Sequence, residues 1–142
     1  MELAAELLPG SDVRLNAGLL LSGDAQVLGQ AEWAIFKPRW GAFFRTKLEA
    51  MLRELGVSTL IFSGCNFPNC PRTSIYEASE RDFRLVLAED AISGLYDRGR
   101  HELLAIGVAM MITDEISRRV VSAIPLPLPH GHGSVKPPVS EP

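Results

Sequence analysis

Apolar positions along the chain change their spacing several times, and each change predicts a different element. Leu48, Met51, Leu52 and Leu55 recur at helical spacing after Thr46, which predicts an amphipathic helix with Thr46 as its N-cap. Compact apolar runs predict strands, and these lie at 31–37, 57–62, 84–88 and 108–112. Further helical patterns are found at 71–81, at 97–106 and from 113 onward.

Alternation of strands and helices is typical of an α/β protein with a parallel sheet. Ligands of such sheets bind beyond the carboxyl ends of the strands. In this pattern Lys37, Gly64 and Asp90 each follow or close an apolar run, and Pro38 ends the first run because proline cannot continue a central strand. We therefore expect the candidate chemistry at this edge of the sheet.

The two ends of the chain depart from the alternating pattern. Residues 1–8 favour a short helix, and the following stretch to Gln30 is predicted to be mostly irregular. From Pro125 the sequence is rich in proline and contains the run HGHG, which predicts disorder. The predicted organisation is one domain, 1–124, followed by a Pro-rich disordered tail, 125–142.

Composition narrows the possible partners. The 142 residues are 46% apolar with a net charge of −3 and a pI near 5.6, values that suit a soluble globular domain and argue against nucleic-acid or anionic-membrane binding. No apolar run approaches the ~18 residues of a membrane span. Since the sequence shows no secretory leader, we expect a cytoplasmic protein with a small-molecule partner.

The segment around Cys70 carries the candidate chemistry. An apolar strand pattern ends in Ser63-Gly64, a short loop with asparagine and proline follows, and a helical pattern begins at Cys70-Pro71. Proline suits the first position of a helix, so Cys70 is predicted at or next to the N-cap. The unpaired amides and positive dipole end of a helix favour thiolate over thiol, so this position suits a nucleophile.

Less specific interpretations of the same residues remain open. Cys70 is also consistent with a small buried apolar side chain, and Lys37 with an ordinary solvated lysine. A disulfide between Cys65 and Cys70 is disfavoured in a reducing compartment. A zinc site is disfavoured because two cysteines stand far from the three histidines of the chain. We therefore predict neither a metal nor a cofactor.

The run from Phe36 to Tyr96, FKPRWGAFFRTKLEAMLRELGVSTLIFSGCNFPNCPRTSIYEASERDFRLVLAEDAISGLY, resembles the isochorismatase-like cysteine hydrolases. This family includes nicotinamidases, carbamoylsarcosine amidases and isochorismatases. The resemblance covers roughly residues 31–116 and combines several features. They are a lysine at a strand end (Lys37), an aromatic loop (Trp40, Phe43 and Phe44), an amphipathic helix, a G-x-x-x-x-x-C turn (Gly64 to Cys70), and two positions on the next helix (Thr73 and Ala78).

This resemblance implies a three-layer α/β/α sandwich around a mainly parallel sheet, with an Asp-Lys-Cys triad. Cys70 matches the nucleophile and Lys37 matches the lysine of the triad. The family's non-proline cis peptide maps to the Cys65–Asn66 bond, and the amides of Asn66 and Cys70 would form the oxyanion hole. The aromatic loop, with Trp40 and Phe43, would contact the substrate.

The aspartate of the family triad follows a first strand well upstream of the lysine, and the chain is expected to begin too late to contain it. Asp24 sits in a superficially similar run, GLLLSGDAQ, but only 25–32 separate it from the strand at Trp33. A crossover between parallel strands needs about a dozen residues or more, so Asp24 is predicted to be a turn residue beside Gly23.

Two functions are therefore expected from the resemblance. The first is a cysteine-dependent hydrolase of a small amide or enol ether that acts through a covalent intermediate, with weak turnover in the absence of the aspartate. The alternative is a catalytically incomplete relative that binds a ligand or partner, and a thiol-redox protein using both cysteines is the weakest interpretation. The missing strand would expose sheet edges, so a homo-oligomer is also expected.

Overall fold

The computed structural model describes residues 9–10 and 13–123. The helices and strands, in chain order, are α1 Ala17–Leu21, β1 Gln26–Gly29, β2 Glu32–Ala34, α2 Leu48–Glu54, β3 Thr59–Gly64, α3 Cys70–Ser79, β4 Arg84–Ile92, α4 Asp97–Ala105, β5 Ala109–Met111 and α5 Thr113–Ala123. The helical piece predicted at 1–8 and the tail predicted at 125–142 lie outside the described residues.

A three-stranded sheet in the order β3-β4-β5 forms the centre of the fold, and both of its strand pairs are parallel. Leu85 and Leu87 of β4 are buried on the face that packs with α3, whereas Val86 points to the opposite face, beside α5. Successive side chains of a strand alternate between faces, so a central strand needs helices on both sides. The α/β prediction with a parallel sheet is confirmed.

The first predicted strand was placed in the wrong sheet. It was expected at 31–37 beside the parallel strands, but β2 pairs antiparallel with β1 in a separate two-stranded sheet. The chain reverses at a short turn in which Ala31 has a φ of 58°, and so short a connection can join only antiparallel neighbours. Lys37 consequently follows a hairpin rather than the end of a parallel strand.

The stretch before Gln30 is more regular than predicted, because it contains α1 and β1. The Asn16 side chain caps α1 by accepting a hydrogen bond from the Leu19 amide at 3.0 Å. The Gln26 side chain joins the two elements, since it accepts from the Asn16 amide at 2.7 Å and donates to the Arg14 carbonyl at 2.8 Å. Asparagine is a preferred N-cap, so this signal was present in the sequence.

Two element boundaries also differ from the predicted ones. The N-cap of α2 is Lys47, one residue after the predicted Thr46, although the Thr46 hydroxyl accepts from the Leu48 amide at 3.4 Å and donates to the Ala42 carbonyl at 2.6 Å. Strand β4 extends to Ile92, so Asp90 lies within it and part of the loop predicted at 91–96 is strand. The additional pairing is between Gly64 and Ile92.

The core lies between the sheet and the helices α2, α3 and α4. Its fully buried side chains include Phe67, Ile75, Leu87 and Leu103. Phe67 belongs to the turn that precedes α3, and its ring packs edge-on against Tyr96 at 5.5 Å between centroids. A buried aromatic ring therefore anchors the turn that leads to Cys70.

Among the described residues, the helices are all too short or too polar to cross a bilayer.

Candidate active site

Backbone hydrogen bonds tie the turn between β3 and α3 to the end of β4. The Phe67 amide donates to the Ser93 carbonyl at 2.8 Å, and the Ser93 amide donates to the Gly64 carbonyl at 3.0 Å. Gly64 has a φ of 114°, a conformation that glycine adopts without a steric penalty. The peptide bond between Cys65 and Asn66 is cis. The turn is thus a defined structure linked to two strands.

The Asn66 side chain occupies space that is open because Gly94 has no side chain. A Cβ atom placed at Gly94 would lie 2.2 Å from Asn66 Oδ1, and the φ of Gly94 is 72°. Both features require glycine at this position. The loop after β4 therefore packs directly against the residue that precedes Phe67.

Cys70 is the first residue of α3 and is partly buried, and Asn69 is its N-cap residue. Within the described residues, neither the Asn66 amide nor the Cys70 amide donates a hydrogen bond to protein. The first amides of a helix have no intrahelical acceptor, which explains the free amide of Cys70. Two backbone amides without a protein acceptor among the described residues, those of Asn66 and Cys70, therefore lie in the turn that leads to this thiol.

Both cysteines carry free thiols, and they differ in exposure. Cys65 is exposed, whereas Cys70 is partly buried. The structure therefore contains no bond of the kind that a thiol-redox pair forms between these residues. Accessibility favours Cys65, while position at a helix start favours Cys70.

Lys37 lies in the segment between β2 and α2. Its ammonium donates to the carbonyls of Arg39 and Trp40, each at 3.0 Å. Among the described residues, no hydrogen bond joins Lys37 to Cys70. The lysine is thus bonded to its own loop, and its effect on the thiol stays a prediction.

A cleft of about 410 Å³ opens beside α3. It is lined by Arg39, Trp40, Gly41, Phe44, Thr73 and Glu77. Thr73 and Glu77 lie one and two turns after Cys70, so the cleft extends along the helix that begins with this cysteine. Trp40 is 63% exposed and is available to a ligand.

Phe43 occupies a different environment from the other aromatic side chains of this loop. It was expected to contact substrate, but it is only 6% exposed and packs on Phe83 in the core, with ring centroids 6.1 Å apart. Phe44 lines the cleft instead. Adjacent residues of the loop point in different directions, which the sequence pattern does not reveal.

Sequence reasoning missed two polar residues that join this loop to α3. Ser74 accepts a hydrogen bond from the Ala42 amide at 3.0 Å, and Glu77 Oε2 accepts one from the Phe43 amide at 2.9 Å. The signal available was their spacing from Cys70, because positions four and seven residues along a helix lie on one face.

Two aspartates considered in the sequence have other partners. Asp24 pairs with Lys47, and this hydrogen bond, with help from Ser22, lowers the pKa of Asp24. Asp90 accepts from the Thr113 hydroxyl at 2.7 Å and from its amide at 2.8 Å, and the bond to the hydroxyl is the main cause of its lowered pKa. Among the described residues, no cluster of three or more histidine, cysteine or acidic side chains is placed to hold a metal.

Three curated proteins show similarity to parts of the chain. The first is an uncharacterized isochorismatase family protein, YecD, of Escherichia coli, which is 41% identical over 42% of this chain and 31% of its own length. The second is a probable inactive nicotinamidase of Arabidopsis thaliana, which is 30% identical over 52% of this chain and 38% of its own length. The third is the ureidoacrylate amidohydrolase RutB of Methylorubrum extorquens, which is 37% identical over 54% of this chain and 34% of its own length. The chain thus spans about a third of the length of these relatives.

A solved structure and a family model agree with this result. The cysteine hydrolase from Pseudomonas syringae matches with a TM-score of 0.55 and 26% identity, over 62% of this chain and 48% of its own. The model of the isochorismatase domain matches residues 21–113, which include Lys37, the cis peptide and Cys70. The chain belongs to the isochorismatase family.

Proposed function

We propose that this chain is a cysteine-dependent hydrolase that acts on a small amide. The observation that carries the proposal is the position of Cys70, which begins α3 directly after the turn containing the cis peptide. A cysteine at a helix start is the arrangement that favours a nucleophilic thiolate. The cleft along α3 provides room for a small substrate next to this helix.

The proposed reaction proceeds through a thioester. The Cys70 sulfur attacks the carbonyl carbon of the amide, and the negative charge that develops on oxygen is stabilised by the amides of Asn66 and Cys70. Collapse of this intermediate breaks the C–N bond, and the nitrogen leaves as ammonia or an amine after taking up a proton from solvent. Water then hydrolyses the thioester, which releases the acid and restores the thiol.

Lys37 is proposed to stabilise the thiolate through its positive charge. Its ammonium is bonded to the carbonyls of Arg39 and Trp40, and both of these residues line the cleft. Trp40 and Phe44 offer flat apolar surfaces for a planar substrate. The relative named as a ureidoacrylate amidohydrolase supports amide hydrolysis as the reaction class, and the structure named as a cysteine hydrolase supports a cysteine as the nucleophile.

Alkylation with iodoacetamide tests the nucleophile without any substrate. Exposure alone favours Cys65, so faster labelling of Cys70 at neutral pH would report its thiolate character. We expect mass spectrometry to find Cys70 modified first. The Cys70→Ser and Cys65→Ser variants assign each labelled peptide, and preferential labelling of Cys65 would overturn the assignment.

Substitution of the lysine tests its proposed charge effect. Lys37→Met should slow Cys70 alkylation by about threefold to tenfold, the size expected when one nearby charge is lost in a partly solvated site. The matched control is Lys47→Met, which removes a surface lysine that pairs with Asp24. Equal rates in wild type and Lys37→Met would show that Lys37 does not act on the thiol.

Hydrolysis is measured with a panel of small amides, including ureidoacrylate, maleamate and nicotinamide. We expect turnover of at least one amide by wild type and none by Cys70→Ser. The relative named as a probable inactive nicotinamidase favours a second function, binding of an amide without hydrolysis. If calorimetry shows an amide binding to wild type and to Cys70→Ser, and neither forms product, this second function would replace the hydrolase proposal.

A further inference from the structure

We infer that Ser74 and Glu77 are positioning residues of the proposed active site. They hold segment 37–44 against α3, and thereby fix the Lys37 ammonium and the Trp40 ring relative to Cys70. This inference rests on the proposed function, because it assigns a purpose to the contact between the lysine loop and the cysteine helix.

Ser74 connects the loop to the residue that carries the nucleophile. Its hydroxyl donates to the Cys70 carbonyl at 2.7 Å and accepts from the Ala42 amide at 3.0 Å. Ser74 is only 5% exposed, so these two bonds satisfy a polar group that water does not reach. One buried hydroxyl therefore joins the backbone of the loop to the backbone of Cys70.

Glu77 holds the next residue of the loop. Its Oε2 atom accepts from the Phe43 amide at 2.9 Å, and a charge-assisted bond of this kind is stronger than a neutral one. Gly41 packs against the same carboxylate, since a Cβ atom there would lie 2.1 Å from Oε1. The loop backbone is therefore in direct contact with the acid, and a larger residue at this point would displace the carboxylate.

The held residues are adjacent to the carbonyls that bind Lys37. The ammonium donates to the carbonyls of Arg39 and Trp40. The first loop residue that is hydrogen-bonded to α3 is Ala42, two residues after Trp40. Trp40 itself is exposed, so its own side chain does not anchor the loop. The two bonds to α3, together with the buried Phe43 ring, therefore hold the backbone that positions the ammonium and the indole.

The spacing of the three residues on α3 suits this role. Cys70, Ser74 and Glu77 lie at successive turns of one helix face, so the nucleophile and both anchors share a rigid element. Groups held on a helix keep their geometry better than groups on a free loop. The bonds to Ser74 and Glu77 thus connect the lysine loop to the helix that carries the thiol.

Variants of Glu77 test the inference through the alkylation rate of Cys70. Glu77→Ala should slow alkylation by about the same factor as Lys37→Met, and it should have no further effect when combined with Lys37→Met. Glu77→Gln retains an oxygen that can accept from the Phe43 amide, so it should restore most of the wild-type rate. Glu80→Ala, an exposed acid at the end of the same helix, is the matched control. Ser74→Ala should act as Glu77→Ala does.

A second measurement follows the loop itself and does not depend on the chemistry. The chain has two tryptophans, so Trp33→Phe leaves Trp40 as the reporter. We expect Glu77→Ala to lower the fluorescence anisotropy of Trp40 and Glu77→Gln to leave it unchanged. Circular dichroism of each variant establishes that the fold is retained.

The outcomes separate this inference from the proposed function. If Lys37→Met leaves alkylation unchanged but Glu77→Ala still mobilises Trp40, the lysine assignment fails while the anchoring of the loop stands. If a folded Glu77→Ala variant keeps both the wild-type alkylation rate and the wild-type anisotropy, the positioning role is overturned. It is also overturned if Glu77→Ala slows alkylation as strongly in the Lys37→Met background as in wild type.

Discussion

Asp90 illustrates how the bonds of a single residue decide its role. Both of its carboxylate oxygens accept hydrogen bonds from Thr113, the first residue of α5. These bonds favour the ionised form and lower the pKa of Asp90 below its ordinary value near 3.8. A carboxylate beside a helix start also interacts favourably with the helix dipole. Asp90 therefore acts as a cap for α5.

Asp90→Asn should lower the melting temperature at neutral pH, because the ionised carboxylate binds Thr113 more strongly than an amide does. The pKa of Asp90 is lower in the folded protein than in the unfolded chain. Its contribution to stability is therefore complete above the pKa of the unfolded chain, and it is lost as the pH falls through the pKa of the folded protein. Thermal unfolding from pH 7 to pH 2 should show the difference from wild type shrinking below pH ~4. A constant difference would contradict this account, and Asp82→Asn at an exposed turn is the control.

Helix α3 and segment 37–44 form the contact on which the candidate site depends. The helix contributes the thiol and two buried or partly buried acceptors, and the loop contributes two backbone amides. Arg81 adds to the same contact, since its guanidinium lies 5.0 Å from the Phe43 ring centroid and donates to the Glu77 carbonyl at 2.6 Å. The loop is therefore ordered by its bonds to the helix, although it contains neither helix nor strand.

Gly41→Ala should disrupt this contact, because the new methyl group would occupy the place of the Glu77 carboxylate. We expect a loss of about 1 kcal/mol in the free energy of unfolding, the typical net value of the hydrogen bond to the Phe43 amide that a displaced carboxylate gives up. Chemical denaturation measures this loss, and slower Cys70 alkylation should accompany it. Gly18→Ala is the matched control, since Gly18 is exposed within α1 and alanine there should be neutral or stabilising. Wild-type stability of Gly41→Ala would refute the close packing.

At the scale of the whole molecule, stability is centred on β4. This strand is paired on both sides, and its side chains Leu85 and Leu87 belong to the buried core. The β1–β2 hairpin, in contrast, is a separate two-stranded sheet whose residues Val27 and Trp33 are exposed. Isolated two-stranded sheets have little stability of their own.

Hydrogen exchange should reveal this difference. We expect the amides of β4 to exchange most slowly and those of β1 and β2 to exchange at least about tenfold faster, because local opening of the hairpin breaks few buried contacts. Mass spectrometry of peptides from 26–34 and 84–92 makes the comparison within one sample. Equal protection of the two segments would show that the hairpin unfolds only together with the sheet.

The sequence by itself determined the alternation of α2, β3, α3, β4, α4, β5 and α5, because burial of one helix face or both strand faces imposes a regular apolar spacing. It also located Cys70 at a helix start, since proline, glycine and asparagine act over a few residues of chain. Family resemblance added Lys37 and the cis peptide position. The spacing of the elements and the helix start depend on local interactions, which a sequence displays directly.

Only the tertiary structure decided which strands pair and which side chains meet. An apolar run such as 31–37 has the same pattern in a hairpin as in a parallel sheet, so its partner β1 could not be read from it. Likewise, Phe43 and Phe44 are identical in type, and the packing of the loop on α3 places one in the core and the other in the cleft. Ser74 and Glu77 gained their partners in the same way, because contacts between residues more than thirty positions apart exist only after the chain has folded.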